Sequence, residues 1–242
     1  MSVSPVTEST PATTPALPAL QVEIWSDVAC PWCFIGKQRF AAGLASFEHR
    51  DRVQVTWRSY QLSPDAVSGP PGSELELLAR AKGLDLDQVR EMFAHVTALA
   101  AGEGLAVDFE TVRPANTFDA HRLVHLAAAQ LPGVAGDVVQ ELMSAHFERG
   151  IAVDDGAELV AIAGRLGLDT DRIRAALAPV DGSDEGDAAA DAVRADVAQA
   201  RAIGVTGVPF FVLDRRLGVS GAQSAELFAA ALAQAWDGFA DA

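Results

Sequence analysis

Cysteine occurs only twice in the 242 residues, as Cys30 and Cys33 of Cys30-Pro31-Trp32-Cys33. On a helix, residues i and i+3 share a face. One turn brings their α-carbons to roughly 5–6 Å, which a disulfide spans. The pair can open or close with little backbone movement, which makes it a redox switch more than a staple. The thiolate is the reactive form, and an ordinary thiol with a pKa of about 8.5 is little ionised at neutral pH. A helix N-terminus offers unpaired N–H groups and about half a positive charge. If a helix opens at this motif, Cys30 is the exposed nucleophile and Cys33, a turn inside, is the resolving thiol. Pro31 suits the first turn, where its missing N–H costs nothing. Trp32 offers an apolar face to a substrate. The competing readings are a fixed disulfide, two inert core thiols, or half of a zinc site; the last lacks a second cysteine pair.

The surrounding pattern supplies the elements that would position such a pair. Gln21–Ser26 reads as a buried strand. Phe40, Leu44 and Phe47 then recur at helical spacing. Arg52–Ser59 alternates Val53, Val55 and Trp57, a second strand. A β-α-β start implies a right-handed crossover and a parallel pair. After Pro64 come helical segments with almost no strand signal: Glu74–Lys82, Asp85–Ala101, Asn116–Gln130, Gly136–Arg149, Asp155–Leu166 and Asp169–Leu177. Ser73 with Glu76 forms a capping-box pattern, and Asp154-Asp155 sits where a helix N-cap is expected. Asp181–Asp187 reads as an acidic linker. Its faint likeness to a calcium loop fails at Ala192, where the bidentate Glu would stand. A helix over Asp187–Ile203 follows, with Val193, Val197, Ala200 and Ile203 on one face. Pro209–Leu213 and Leu217–Ser220 then read as strands, and Ala222–Trp236 as a final helix.

Half of the residues are hydrophobic, ample for a large core. A formal charge of −15 argues against nucleic acid and anionic membranes as partners. No apolar run reaches membrane-span length. Residues 1–20 are rich in Ser, Thr, Pro and Ala, with no Lys or Arg and no apolar h-region, and read as a disordered tail without a secretory signal. The expected compartment is cytoplasmic, where a dithiol serves catalysis or redox sensing more than structure. His121 and His125, four apart on one helix face, match a metal-ligand spacing but lack the general-base Glu of the zincin motif. They read as packing or hydrogen-bonding residues, and no metal is expected.

A second stretch, Gly204-Val205-Thr206-Gly207-Val208-Pro209-Phe210-Phe211-Val212, opens an apolar strand with proline, which cannot donate to the ladder. A trans or a cis Pro209 fits that position.

Taken with Trp25–Gly36, Trp57–Leu62, Asn116-Thr117, Ala120–Leu123 and Val219–Gln223, this stretch makes the chain resemble thioredoxin-fold proteins of the DsbA superfamily, in the FrnE-like branch. The resemblance implies an α/β thioredoxin fold, β-α-β … α-β-β-α, with a large all-helical domain inserted after the second strand. The parts would be residues 21–62 and 187–242 for the discontinuous thioredoxin-like domain and 63–186 for the insert. It implies a cis Pro209 beside the dithiol, and a Val208 whose backbone receives an extended substrate peptide. Asn116 and His121 would line the cleft between insert and dithiol. Phe34 stands where many relatives carry Tyr. Trp32 stands where periplasmic relatives carry His, which implies a less oxidising couple.

The function expected from these residues is a thiol–disulfide oxidoreductase acting on protein thiols and disulfides. It would bind no cofactor beyond its own dithiol, with glutathione a possible co-substrate. Two alternatives stand beside it. One is a glutathione-dependent or polyketide-type isomerase or transferase, akin to kappa-class transferases and hydroxychromene-carboxylate isomerases, which typically carry Ser at the first cysteine position. The other is a redox-sensing or chaperone-like binding module. The sequence leaves the oligomeric state open, and the helical insert offers a face on which a homodimer could form.

Overall fold

The computed structural model describes residues 19–67, 69, 72–178 and 184–240. Nearly all of the expected tail, and residues 181–183 of the expected linker, lie outside the described residues. The first strand already includes Leu20, and the chain is helical from Asp184, so the acidic stretch is shorter than expected as a linker.

Among the described residues four strands form the sheet: β1 (Leu20–Ser26), β2 (Val53–Ser59), β3 (Phe210–Leu213) and β4 (Leu217–Ser220). Their order is β2-β1-β3-β4, with β1 and β2 parallel and β3 antiparallel to both neighbours. The first helix, α1 (Pro31–Ser46), makes the crossover from β1 to β2. Between β2 and the rest of the sheet lie α2 (Glu74–Lys82), α3 (Leu86–Gly102), α4 (Phe118–Gln130), α5 (Ala135–Arg149), α6 (Gly156–Arg165) and α7 (Thr170–Ala176). Then come α8 (Asp184–Ala202), the β3–β4 hairpin and α9 (Ala225–Ala240). The order is the α/β thioredoxin arrangement with a helical block after the second strand. The caps follow local chemistry: Ser73 and Glu76 exchange both capping-box hydrogen bonds at α2, and Asp155 accepts from Ala157 N at α6.

The central strand β1 is buried on both faces because helices cover both. Leu20, Val22 and Ile24 point into a core with Phe40 of α1, Phe211 of β3 and Phe228 of α9. Phe40 meets Phe211 at 5.3 Å between ring centroids and Phe228 edge-on at 5.5 Å. Full burial of each such side chain contributes about 1.5–3 kcal/mol. On the other face Trp25 packs against Ala200 of α8 and donates its indole N–H to the Asp196 carbonyl at 3.0 Å. The buried stripe of α8 runs through Val193, Asp196 and Ala200. Ile203, expected on that face, is half exposed, because the helix ends at Ala202.

Asp196 is a buried charge with ordered partners. It accepts from Arg58 Nη1 at 3.0 Å and from Ser59 N at 2.9 Å, and His125 Nε2 of α4 lies 3.0 Å from its Oδ2. Arg58 also reaches buried Glu23 of β1 at 2.6 Å. This knot joins β1, β2, α4 and α8. A larger core, including Leu123, Leu142, Phe147 and Leu159, fills the helical block and continues into Val28, Cys30, Cys33 and Phe34. The dithiol therefore sits on the seam between the sheet-bearing part and the helices.

Candidate active site

Cys30 is the N-cap of α1 and Pro31 its first residue. The Cys30 carbonyl accepts from Cys33 N at 3.0 Å and Phe34 N at 3.3 Å, which closes the first turn around the motif. Both cysteines carry free thiols. Cys33 is 1% exposed, as expected one turn inside. Cys30 departs from expectation. It is only 3% exposed, because it packs into the seam with the helical block and its Sγ lies 3.8 Å from the Val208 carbonyl oxygen.

The Val208–Pro209 peptide bond is cis. The Pro209 ring lies on α1 at Gly36, where an added Cβ would stand 2.8 Å from Pro209 Cγ. Gly43, two turns on, gives α9 the same close approach: a Cβ there would lie 2.7 Å from the Ala225 carbonyl. The Pro209 carbonyl accepts from Gly221 N at 2.9 Å, and Arg39 of α1 donates to the Ala222 carbonyl at 2.8 Å. Motif, proline loop and Ser220–Gln223 turn are thus fastened together. Lys37 and Gln38 both donate to Gln140 of α5, at 2.9 and 3.1 Å, and tie the same helix to the block.

Behind the sulfurs lies an acid that sequence reasoning passed over. Asp27, 2% exposed, accepts from Leu62 N at 2.8 Å, and its Oδ1 lies 3.4 Å from His121 Nε2. Burial alone would raise its pKa. The His121 ring, the Leu62 N–H and Thr117 outweigh burial and hold the carboxyl below its ordinary range. Burial pushes the Cys33 thiol well above its ordinary value and neighbouring Cys30 adds to this, while Ser26 and the Asp27 backbone pull it back. His146 of α5 was also missed. Burial lowers its pKa to about 4 against the pull of Asp27 and Asp154.

The remaining expected residues take separate places. Trp32 is 38% exposed, with its ring 6.5 Å from that of His95 on α3, so an apolar surface stands beside the dithiol. His121 faces Asp27 whereas His125 faces Asp196 and Ser59, so the two imidazoles serve different carboxylates. Asn116 acts on a loop: its side chain donates to the Pro64 and Ala66 carbonyls and accepts from Phe118 N at 2.9 Å. The loop it fixes returns Leu62 N to Asp27. Phe34 is fully buried and stacked on Phe147 at 6.1 Å, in a setting without need of a hydroxyl. Among the described residues no group of acid, His and Cys side chains is arranged to hold a metal ion, and no helix is long and apolar enough to cross a membrane.

The sequence model of the DSBA-like thioredoxin domain matches residues 21–233. A probable DsbA oxidoreductase from Streptomyces coelicolor is 43% identical, with a TM-score of 0.82 over 90% of each chain. The cytosolic disulfide reductase DsbM from Pseudomonas aeruginosa superposes at a TM-score of 0.60 with 15% identity, over 92% of this chain and all of that one. A 2-hydroxychromene-2-carboxylate isomerase does so at 0.61 with 18% identity, over 91% of this chain and 98% of that one. At such identities these two likenesses concern the fold alone. No curated protein sequence matches the chain.

Proposed function

The chain belongs to the family of DSBA-like thioredoxin domains, and from that premise we propose that it is a thiol–disulfide oxidoreductase acting through Cys30 and Cys33 on protein disulfides. The supporting observation is the meeting of Cys30 Sγ, at a helix N-terminus, with the Val208 carbonyl 3.8 Å away. In the reducing direction the Cys30 thiolate attacks one sulfur of a substrate disulfide. The substrate S–S bond breaks, a Cys30–substrate disulfide forms, and the first thiolate leaves. Cys33 then attacks Cys30 Sγ, the Cys30–Cys33 disulfide forms, and the second substrate thiolate leaves. The oxidising direction is the reverse. The partly buried Val208 offers its backbone to an extended substrate segment, and exposed Trp32 supplies an apolar contact beside it.

On this reading the sheet-bearing part, residues 21–62 and 187–242, carries the chemistry, and 63–186 shapes the approach to it. A FrnE-like place in the superfamily and a cytoplasmic setting fit the same reading, with glutathione as a possible source of reducing equivalents. The isomerase-type alternative has less support, since both sulfurs of the dithiol are present here. Insulin reduction by the wild-type chain, abolished in Cys30→Ser, tests the proposal. Equal rates for the two proteins would remove it.

A further inference from the structure

Arg39 of α1 stands between the helical block and the loop that carries Val208. Its Nε donates to Glu103 Oε1 at 2.6 Å, and its Nη1 donates to the Ala222 carbonyl at 2.8 Å. The two ionic side chains are 21% and 26% exposed, so water screens the pair only in part. Glu103 is the C-cap of α3. One planar guanidinium thus bonds two elements far apart in the chain. Its fork of fixed donors allows this, and a lysine ammonium does not reproduce it.

The Ala222 bond acts on the Ser220–Gln223 turn. This turn follows β4, a four-residue strand at the sheet edge beside β3. Gln223 braces it from within, donating from Nε2 to the Ser220 carbonyl at 2.8 Å. Gly221 N donates to the Pro209 carbonyl at 2.9 Å. The turn therefore holds Pro209 from one side while α1 supports the proline ring at Gly36 from the other. The run Glu103, Arg39, Ala222, Gly221, Pro209 is continuous. It ends one residue from Val208, whose carbonyl oxygen lies 3.8 Å from Cys30 Sγ.

The helical block touches α1 at a second place, where the His95 ring of α3 lies 6.5 Å from that of Trp32. Trp32 to Arg39 and His95 to Glu103 are about 10 and 12 Å of helix. The same helix thus accompanies α1 from the dithiol to the guanidinium.

We propose that Arg39 is a positioning residue for substrate docking. Braced by Glu103, it sets the Ser220–Gln223 turn, and through that turn the Val208 backbone that receives an extended substrate segment. The inference rests on the oxidoreductase reading above and gives the helical block a hold on substrate affinity through Glu103. A charged donor to a carbonyl is stronger than a neutral one. Its loss should loosen the edge turn and leave the sulfur chemistry in place.

The test sets insulin, whose chains can lie along Val208, against 4,4′-dithiodipyridine, a neutral disulfide with no peptide backbone. Arg39→Met should raise the KM for insulin by about fivefold or more with kcat within about twofold, and Glu103→Gln should raise it by about twofold or more. Arg39→Lys should restore little, because one ammonium cannot serve Glu103 and the Ala222 carbonyl in the same geometry. The rate at which dithiodipyridine captures Cys30 should stay within about twofold of wild type in all three. Glu103→Gln keeps the side-chain size and carries the test if Arg39→Met misfolds. An insulin KM unchanged in the folded variants, or the two disulfides slowed alike, overturns the inference alone. A wild type that reduces neither disulfide overturns the oxidoreductase reading, and the inference with it.

Discussion

Pro209 lies directly on Gly36: a Cβ at Gly36 would stand 2.8 Å from Pro209 Cγ and 3.4 Å from Ala222 Cβ. Residues more than 170 positions apart thus meet where only a hydrogen fits, and this contact sets how closely Val208 approaches Cys30. Gly36→Val should push the proline loop off α1. Overpacking of this kind costs about 1–3 kcal/mol. The expected result is a lower urea midpoint with a larger proportional loss of insulin reduction. Retained activity at wild-type stability would mean that the contact is slack.

The redox poise follows from which groups stand beside the sulfurs. Trp32 supplies no charge to the Cys30 thiolate, and burial disfavours ionisation of Cys33. Equilibration with glutathione buffers should give a potential below about −120 mV, the value of a strongly oxidising dithiol, and Trp32→His should raise it. Each 30 mV corresponds to about 1.4 kcal/mol. A wild-type potential at or above about −120 mV, or no shift in the variant, contradicts this account.

His146 sets an acid limb of stability. In the unfolded chain a histidine ionises near pH 6.5, and in the fold His146 does so at about 4. Between those values the unfolded chain binds a proton that the native one refuses, so stability falls as pH drops through that window, by up to about 3 kcal/mol. Asp27, held low, works in a separate window: its stabilisation is present at neutral pH and lost only below the ordinary carboxylate range. Urea titrations from about pH 7 to 4 should show the slope in the wild type and a flatter profile in His146→Gln. Equal slopes would assign the limb to other groups.

The Asp196 knot should be worth more than a surface ion pair. Asp196→Ala leaves Ser59 N without its acceptor and Arg58 with Glu23 alone. Removing one partner from a buried pair costs about 3–5 kcal/mol, and the partial exposure of Arg58 argues for the lower end. A urea midpoint lowered by less than about 1 kcal/mol equivalent would show that solvent replaces the knot.

The elements were legible in the sequence because their signals are local. Val53, Val55 and Trp57 alternate, glycines punctuate the helices, and Ser73 with Glu76 marks the start of α2 to the residue. The dithiol helix was legible from Pro31 and the cysteine spacing, and the Val208–Pro209 partnership only through resemblance, since nothing local ties it to residue 30. Two features were hidden. Cys30 is covered by a seam that exists only once the helical block has docked. Asp27, Asp196 and His146 are buried titratable groups, and residue types that are usually exposed or only partly buried give no sequence sign of being inside. Asp196 falls on the apolar face of α8 one position before Val197, and that register is the one local clue to it.

The most direct measurement is a mixed-disulfide trap. Cys33→Ala, incubated with a disulfide-bonded protein such as oxidised insulin, should accumulate a covalent complex that dithiothreitol dissolves. Peptide mapping should locate the link at Cys30. Cys30→Ser with Cys33 intact should form none, because Cys33 lies a turn inside the helix and resists ionisation. A complex through Cys33, or no complex with Cys30 intact, would contradict the assignment of Cys30 as the attacking sulfur.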